Sequence, residues 1–137
     1  MAVVSELIRT EQDGSLSFGD YTLTSKTKKA DFEHDGDIYK IKTFNEITRL
    51  ERNEALVYES SPGTAVHNLK TADGEISFSV EGPEDAMVTL ELEADSAYEI
   101  VKNGTDAGEV KTNLGGKLPI SVELGEGANV SIKVTKK

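Results

Sequence analysis

The residues from Asp31 to Ile38, Asp-Phe-Glu-His-Asp-Gly-Asp-Ile, are the sharpest chemical motif in the chain. Asp31, Glu33, Asp35 and Asp37 offer carboxylates at alternate positions, followed by or flanking a glycine and then an apolar residue. That is how a calcium loop begins, because calcium takes six to eight hard oxygen ligands. The twelfth position, where a bidentate glutamate closes such a loop, is Lys42. The alternative is an acidic, solvated turn leading into a strand over 37–43, and this is the expectation adopted. No metal or other cofactor is expected.

Other candidate chemistries have few residues to draw on. His34 and His67 are the only imidazoles. With a carboxylate they could form an acid–base pair or a metal site, but a structural role for each is the expectation. No cysteine is present, which removes disulfides, thiolates and cysteine-ligated metals. No Gly-x-Ser-x-Gly elbow occurs, and Ser60-Ser61-Pro62-Gly63 reads as a turn. Leu114-Gly115-Gly116-Lys117 lacks the spacing of a phosphate loop. Glu91, Glu93 and Glu123 alternate with apolar residues, so they keep a sheet surface wet and do not form a glycosidase pair. A carbohydrate platform needs flat aromatic rings. Tryptophan is absent, which leaves Tyr21, Tyr39 and Tyr58 as the sugar-contact candidates.

The elements that must position these residues read as β-strands. Ile76/Phe78/Val80, Val88/Leu90/Leu92, Leu118/Ile120/Val122/Leu124 and Val130/Ile132/Val134 each alternate with polar residues. A strand sends successive side chains to opposite faces, so each run has one apolar face to bury. Two sheets burying such faces against each other make an antiparallel β-sandwich, Ig-like or jelly-roll-like. Turn signals recur at short intervals: Asp13-Gly14, Gly19-Asp20, Asp73-Gly74, Gly82-Pro83 and, strongest for a hairpin, Asn103-Gly104.

The first half is less regular, with strands expected at 3–9, 15–18, 21–25, 37–43, 55–59 and 65–69. Phe44, Ile47 and Leu50 have helical spacing, but Thr48, Val57 and Tyr58 favour a hairpin turning at Arg52-Asn53. Pro119 has no amide donor, so its strand should lie at an edge or begin there. The likeliest boundary falls within 70–74, giving an N-terminal β unit at 1–72 and a C-terminal sandwich unit at 73–137.

Charge limits the partners. The chain carries 25 acids and 15 bases, net −10. Residues 1–72 hold 9 bases and 12 acids, and residues 73–137 hold 6 bases and 13 acids. Such a field repels phosphates and anionic headgroups, so neither nucleic acid nor a membrane is an expected partner. The N-terminal stretch has no basic region ahead of an apolar run, so the expected location is the cytoplasm, with a mature secreted domain as the alternative.

Four stretches, Gly19–Leu23, Asp31–Thr43, Val57–Asn68 and Lys111–Leu124, together resemble a family of short bacterial proteins from anaerobic gut Firmicutes. Members often carry the label endosialidase, so the resemblance implies a small glycan-active enzyme. Sialidase chemistry uses an arginine cluster, a Tyr–Glu nucleophile pair and a Ser-x-Asp-x-Gly-x-Thr-Trp box. This chain has only Arg9, Arg49 and Arg52 and no such box, so no catalytic residue carries over. The C-terminal half also resembles the Ig-like accessory modules of carbohydrate-active enzymes, which implies packing or attachment. The expected function is therefore a non-catalytic binding or self-assembly module that associates through sheet edges. Val3–Arg9 and Leu56–Glu59 are the least protected edges, and a carbohydrate-binding module is the alternative.

Overall fold

The computed structural model describes residues 3–72, 74–125 and 129–137. Among the described residues thirteen strands follow one another: β1 (Ile8–Thr10), β2 (Leu16–Phe18), β3 (Thr27–His34), β4 (Asp37–Thr43), β5 (Thr48–Arg52), β6 (Ala55–Ser61), β7 (Ala65–Ala72), β8 (Glu75–Glu81), β9 (Ala86–Glu91), β10 (Ala97–Lys102), β11 (Thr105–Lys111), β12 (Lys117–Val122) and β13 (Asn129–Lys136). Two antiparallel sheets pack as a sandwich. One runs β1-β2-β7-β8-β13-β10-β11 and the other β12-β9-β6-β5-β4-β3. Strands from 1–72 and from 73–137 contribute to both sheets.

The alternating runs set the core. Val80, Val88, Leu90, Leu118 and Val134 are fully buried, and the other inward residues of those runs are nearly so, with Leu92 partly covered at the rim. The N-terminal strands add Ile8, Leu16, Phe18, Ile41, Leu50 and Val66 to the same cluster. Phe18 and Phe78 meet Tyr58 edge-on, with ring centroids 5.3 and 5.8 Å away. The Tyr58 hydroxyl lies 2.8 Å from Thr64 Oγ1, and Ser60 Oγ lies 2.7 Å from the same atom. Thr48 Oγ1 donates to the Thr64 carbonyl and accepts from the Thr64 amide. These shared hydroxyls satisfy backbone groups that would otherwise be buried unpaired.

The ambiguous stretch after Phe44 is a hairpin, not a helix. Thr48 and Leu50 point inward, and the chain turns at Asn53 and Glu54, both with positive φ. Asn53 then bridges sideways: its Oδ1 accepts from the Ile38 amide and its Nδ2 donates to Asp37 Oδ1. Pro119 lies on β12, the outermost strand of the six-stranded sheet, where a missing amide costs no ladder bond.

Three local expectations fail. The strand and edge expected at Val3–Arg9 are confined to Ile8–Thr10, because the Leu7 amide closes a turn onto the Val4 carbonyl and Leu7 itself has positive φ. Residues 21–25 form turns and bends, not a strand. Asp20 Oδ1 accepts from the Thr22 amide and hydroxyl, an Asx turn that competes with extension. Just before it, Gly19 adopts φ +102°, and a Cβ there would stand 2.4 Å from the Thr64 carbonyl oxygen. The segment 27–34, by contrast, is an eight-residue strand. Only Phe32 packs on the core, so apolar alternation does not announce it. Its pairing with β4 is fixed by a two-residue Asp35-Gly36 turn with φ of 53° and 85°, the Asp-Gly signature of a tight hairpin.

Candidate functional site

The stretch that imitates a calcium loop folds as strand, turn and strand. Asp31 falls in a bulge of β3, Glu33 pairs across from Ile38, Asp35 forms the turn, and Asp37 accepts from Asn53. Pleating and the bulge scatter these carboxylates. Among the described residues, no three His, Asp or Glu side chains come together to hold a cation. Lys42 instead faces Lys28 on one side and Arg49 on the other.

The three tyrosines do not form a platform. Tyr58 is fully buried, and Tyr39 on β4 is buried opposite Phe32, edge-on to His34. Tyr21 is half-buried beside Glu81. Its phenol pKa is raised, by burial first and then by the Glu81 carboxylate. The structure leaves Tyr21 as the one candidate whose ring is outside the core.

The two histidines lie apart. His34 Nδ1 is 2.8 Å from the Thr10 hydroxyl, where β3 approaches β1. His67 lies on the outer face of the seven-stranded sheet, because Val66 beside it points into the core. There His67 Nε2 and Glu81 Oε1 are hydrogen-bonded at 3.0 Å, and both side chains are at most 7% exposed. Close by, the fully buried Ser17 hydroxyl donates to Glu11 and accepts from the Asn68 amide. Arg9 holds Glu11 from the other side at 3.1 Å. The Glu11 carboxyl is consequently held below its ordinary value, mainly by the Ser17 hydrogen bond and then by Arg9.

This set contains a serine, a histidine and two carboxylates, yet it is not arranged as a nucleophile. Catalysis would need the histidine on the serine hydroxyl and room for a reacting atom. Here the serine is directed at a carboxylate and the histidine at a different one. The arrangement ties β1, β2, β7 and β8 together. Sequence reading missed it because the register between β7 and β8 shifts between His67 and Lys70.

The sheet edges are unequal. β1 is three residues long, and β12 carries Pro119 and has its Ser121 carbonyl covered by the Lys102 ammonium. Short strands, proline and lysine are common ways to blunt an edge. β3 has eight residues and β11 has seven; neither carries proline, although β3 carries Lys28 and Lys29, β11 carries Lys111, and each has a bulge. Every side chain of β11 is exposed except that of Val110. Leu56–Glu59, expected at an edge, lies inside the six-stranded sheet between β5 and β9. Among the described residues no helix is long and apolar enough to cross a membrane. No family model, curated protein or solved structure matches this chain.

Proposed function

We propose that the protein is a non-catalytic module that binds or self-assembles through the two open edges of its sandwich. The observation that supports this reading is that the edge strands β3 and β11 are longer than β1 and, unlike β12, carry no proline. An outermost strand presents a row of unpaired amides and carbonyls, which a further strand satisfies. Supporting it, both histidines are engaged in internal hydrogen bonds, and Ser17 is shut away from solvent.

Sedimentation velocity across a concentration series tests the self-assembly form of this reading. Self-association is expected, and Ala107→Lys should weaken it. Ala107 is the exposed extra residue where the β10–β11 register shifts, so a lysine there adds charge at the edge without touching the core. A monomer at every concentration would refute self-assembly. Self-association unchanged by Ala107→Lys would move it away from β11.

A further inference from the structure

The lysines of this chain fall into two groups. Lys70, Lys111, Lys117, Lys133, Lys136 and Lys137 each have a carboxylate within 4 Å. Lys102 donates to a carbonyl. The remaining five, Lys26, Lys28, Lys29, Lys40 and Lys42, have no ion pair among the described residues, and all lie in or just before the β3–β4 hairpin. A chain with 25 acids and 15 bases has carboxylates to spare. Their absence here therefore needs a physical reason.

The register sharpens the point. Lys28 on β3 is directly opposite Lys42 on β4, and Lys42 is directly opposite Arg49 on β5. Ile41, Thr43 and Leu50 point into the core, so this row lies on the outer face. Facing residues on neighbouring strands bring their Cβ atoms to about 4.5–5.5 Å, and like charges so placed repel. Arg49 is matched by Glu51 and Glu59. Glu51, directly opposite Lys40, also attracts Lys42, but neither Lys28 nor Lys42 has a carboxylate within ion-pair distance among the described residues. The Lys42 ammonium is held below its ordinary pKa, by burial first and then by Lys26, Lys28 and Arg49.

The uncompensated row ends at the outward edge of β3, one of the two open edges. A strand added along that edge would place a side chain opposite Lys28, on the face that Lys42 and Lys40 share. The bulge after Lys29 limits regular pairing to the basic half of β3, Thr27–Lys29, and separates it from the acidic hairpin tip. We infer that the Thr27–Lys29 edge takes an extended acidic segment of another protein as an added strand, its carboxylates seated against Lys28 and Lys42. This deepens the edge-binding reading above and rests on it. The open backbone favours a polypeptide over other anions, since only a polypeptide can use the free amides and carbonyls as well as the charge. The field of Asp31, Glu33, Asp35 and Asp37 beside the row also disfavours a long polyanion. The chain's other open edge, β11, mixes Asp106 and Glu109 with Lys111, so a second copy is a poorer match.

The test uses a peptide of alternating Glu and Thr, about ten residues long, titrated into the full chain. Binding is read by fluorescence anisotropy and by amide exchange in NMR spectra. The expected result is saturable binding that slows exchange around Thr27–Lys29 and weakens at higher salt. Lys28→Gln/Lys42→Gln should weaken it about tenfold or more, the scale of losing charge-assisted bonds. Lys117→Gln/Lys133→Gln removes the same charge elsewhere and should change it less than about twofold, as for surface pairs away from the site. Several results would overturn the inference: no peptide binding; equal binding of a heparin fragment without amide protection, which marks a general polyanion surface; or loss of self-association in Lys28→Gln/Lys42→Gln, which makes a second copy the occupant. Self-association that depends on β11 alone leaves peptide binding at β3 standing, so the two readings fail separately.

Discussion

Two like-charge pairs lie at opposite corners of the sandwich, and the chain treats them differently. On the seven-stranded sheet, Glu99 of β10 is directly opposite Glu109 of β11. The Lys137 ammonium reaches both, at 3.4 and 3.6 Å. On the six-stranded sheet, Lys28 faces Lys42, and neither has an ion pair among the described residues, Glu51 acting on Lys42 only from beyond ion-pair distance. Repulsion across neighbouring strands costs stability in both places. One corner cancels it within the chain and the other does not. The corner without an internal ion pair is the one to which the acidic-strand proposal assigns a partner.

The most severe way to probe this contrast is to remove what both corners rest on. Leu90 is fully buried between the sheets, so Leu90→Ala should cost about 2–5 kcal/mol in urea unfolding. If the corners share one core, signals from β3–β5 and from β10–β13 should be lost in a single transition. Two separated transitions would mean that the corners belong to independently stable parts.

A smaller effect is expected at the paired outer face near β7 and β8. Glu81→Ala leaves the His67 ring buried without its partner, and should cost about 1–3 kcal/mol, the usual penalty for an orphaned buried polar group. A loss below a few tenths would mean that water replaces the carboxylate.

The contrast itself is tested by deleting one charge at each corner. Lys42→Gln should raise stability by about 0.2–1 kcal/mol at low salt, and the gain should fade as salt screens the repulsion. Lys137→Gln should lower stability, because Glu99 and Glu109 then face each other uncancelled. Destabilisation by both variants would show that the Lys28–Lys42 row is compensated inside the chain after all.

The mildest prediction concerns acid. The folded Glu11 carboxyl titrates below its ordinary value of 4.5, so the folded state binds a proton there less readily than the unfolded chain does. Its stabilising contribution is complete above that value and is lost as pH falls through the lower folded one. Ser17→Ala removes the principal cause, so the variant's stability deficit should be present at pH 7 and shrink toward pH 2. A deficit constant across that range would assign the loss to packing alone.

Legibility in the sequence followed how local each determinant is. Alternation in 75–134 gave the core because every inward residue is apolar and nearly every outward one polar. Asn103-Gly104 and Pro119 placed a hairpin and an edge because each residue restricts its own backbone. The acidic turn before 37–43 was legible, but β3 leading into it stayed hidden because Phe32 alone of its residues packs on the core. The strand expected at 21–25 yielded to Asp20, whose short side chain captures the backbone two residues on. The meeting of His67 with Glu81, and of Lys28 with Lys42, depends on register between strands. In both hairpins a bulge breaks the simple count from the turn.

The position of β13 has a consequence in time. It lies between β8 and β10, pairing Ile76 with Val134 and Ile100 with that same residue. During synthesis both neighbours emerge before it, so β8 and β10 each wait with a free edge and an apolar face. The centre of the seven-stranded sheet therefore closes by insertion of a late strand, whose first residue Asn129 pairs with Glu81 at the end of β8, far back in the chain. Pairing so remote in sequence carries a large loop-closure cost before any contact rewards it, which slows folding and prolongs the exposure of Phe78 and Ile100. A nascent chain stalled before 129 should thus engage holding chaperones that the finished sandwich does not.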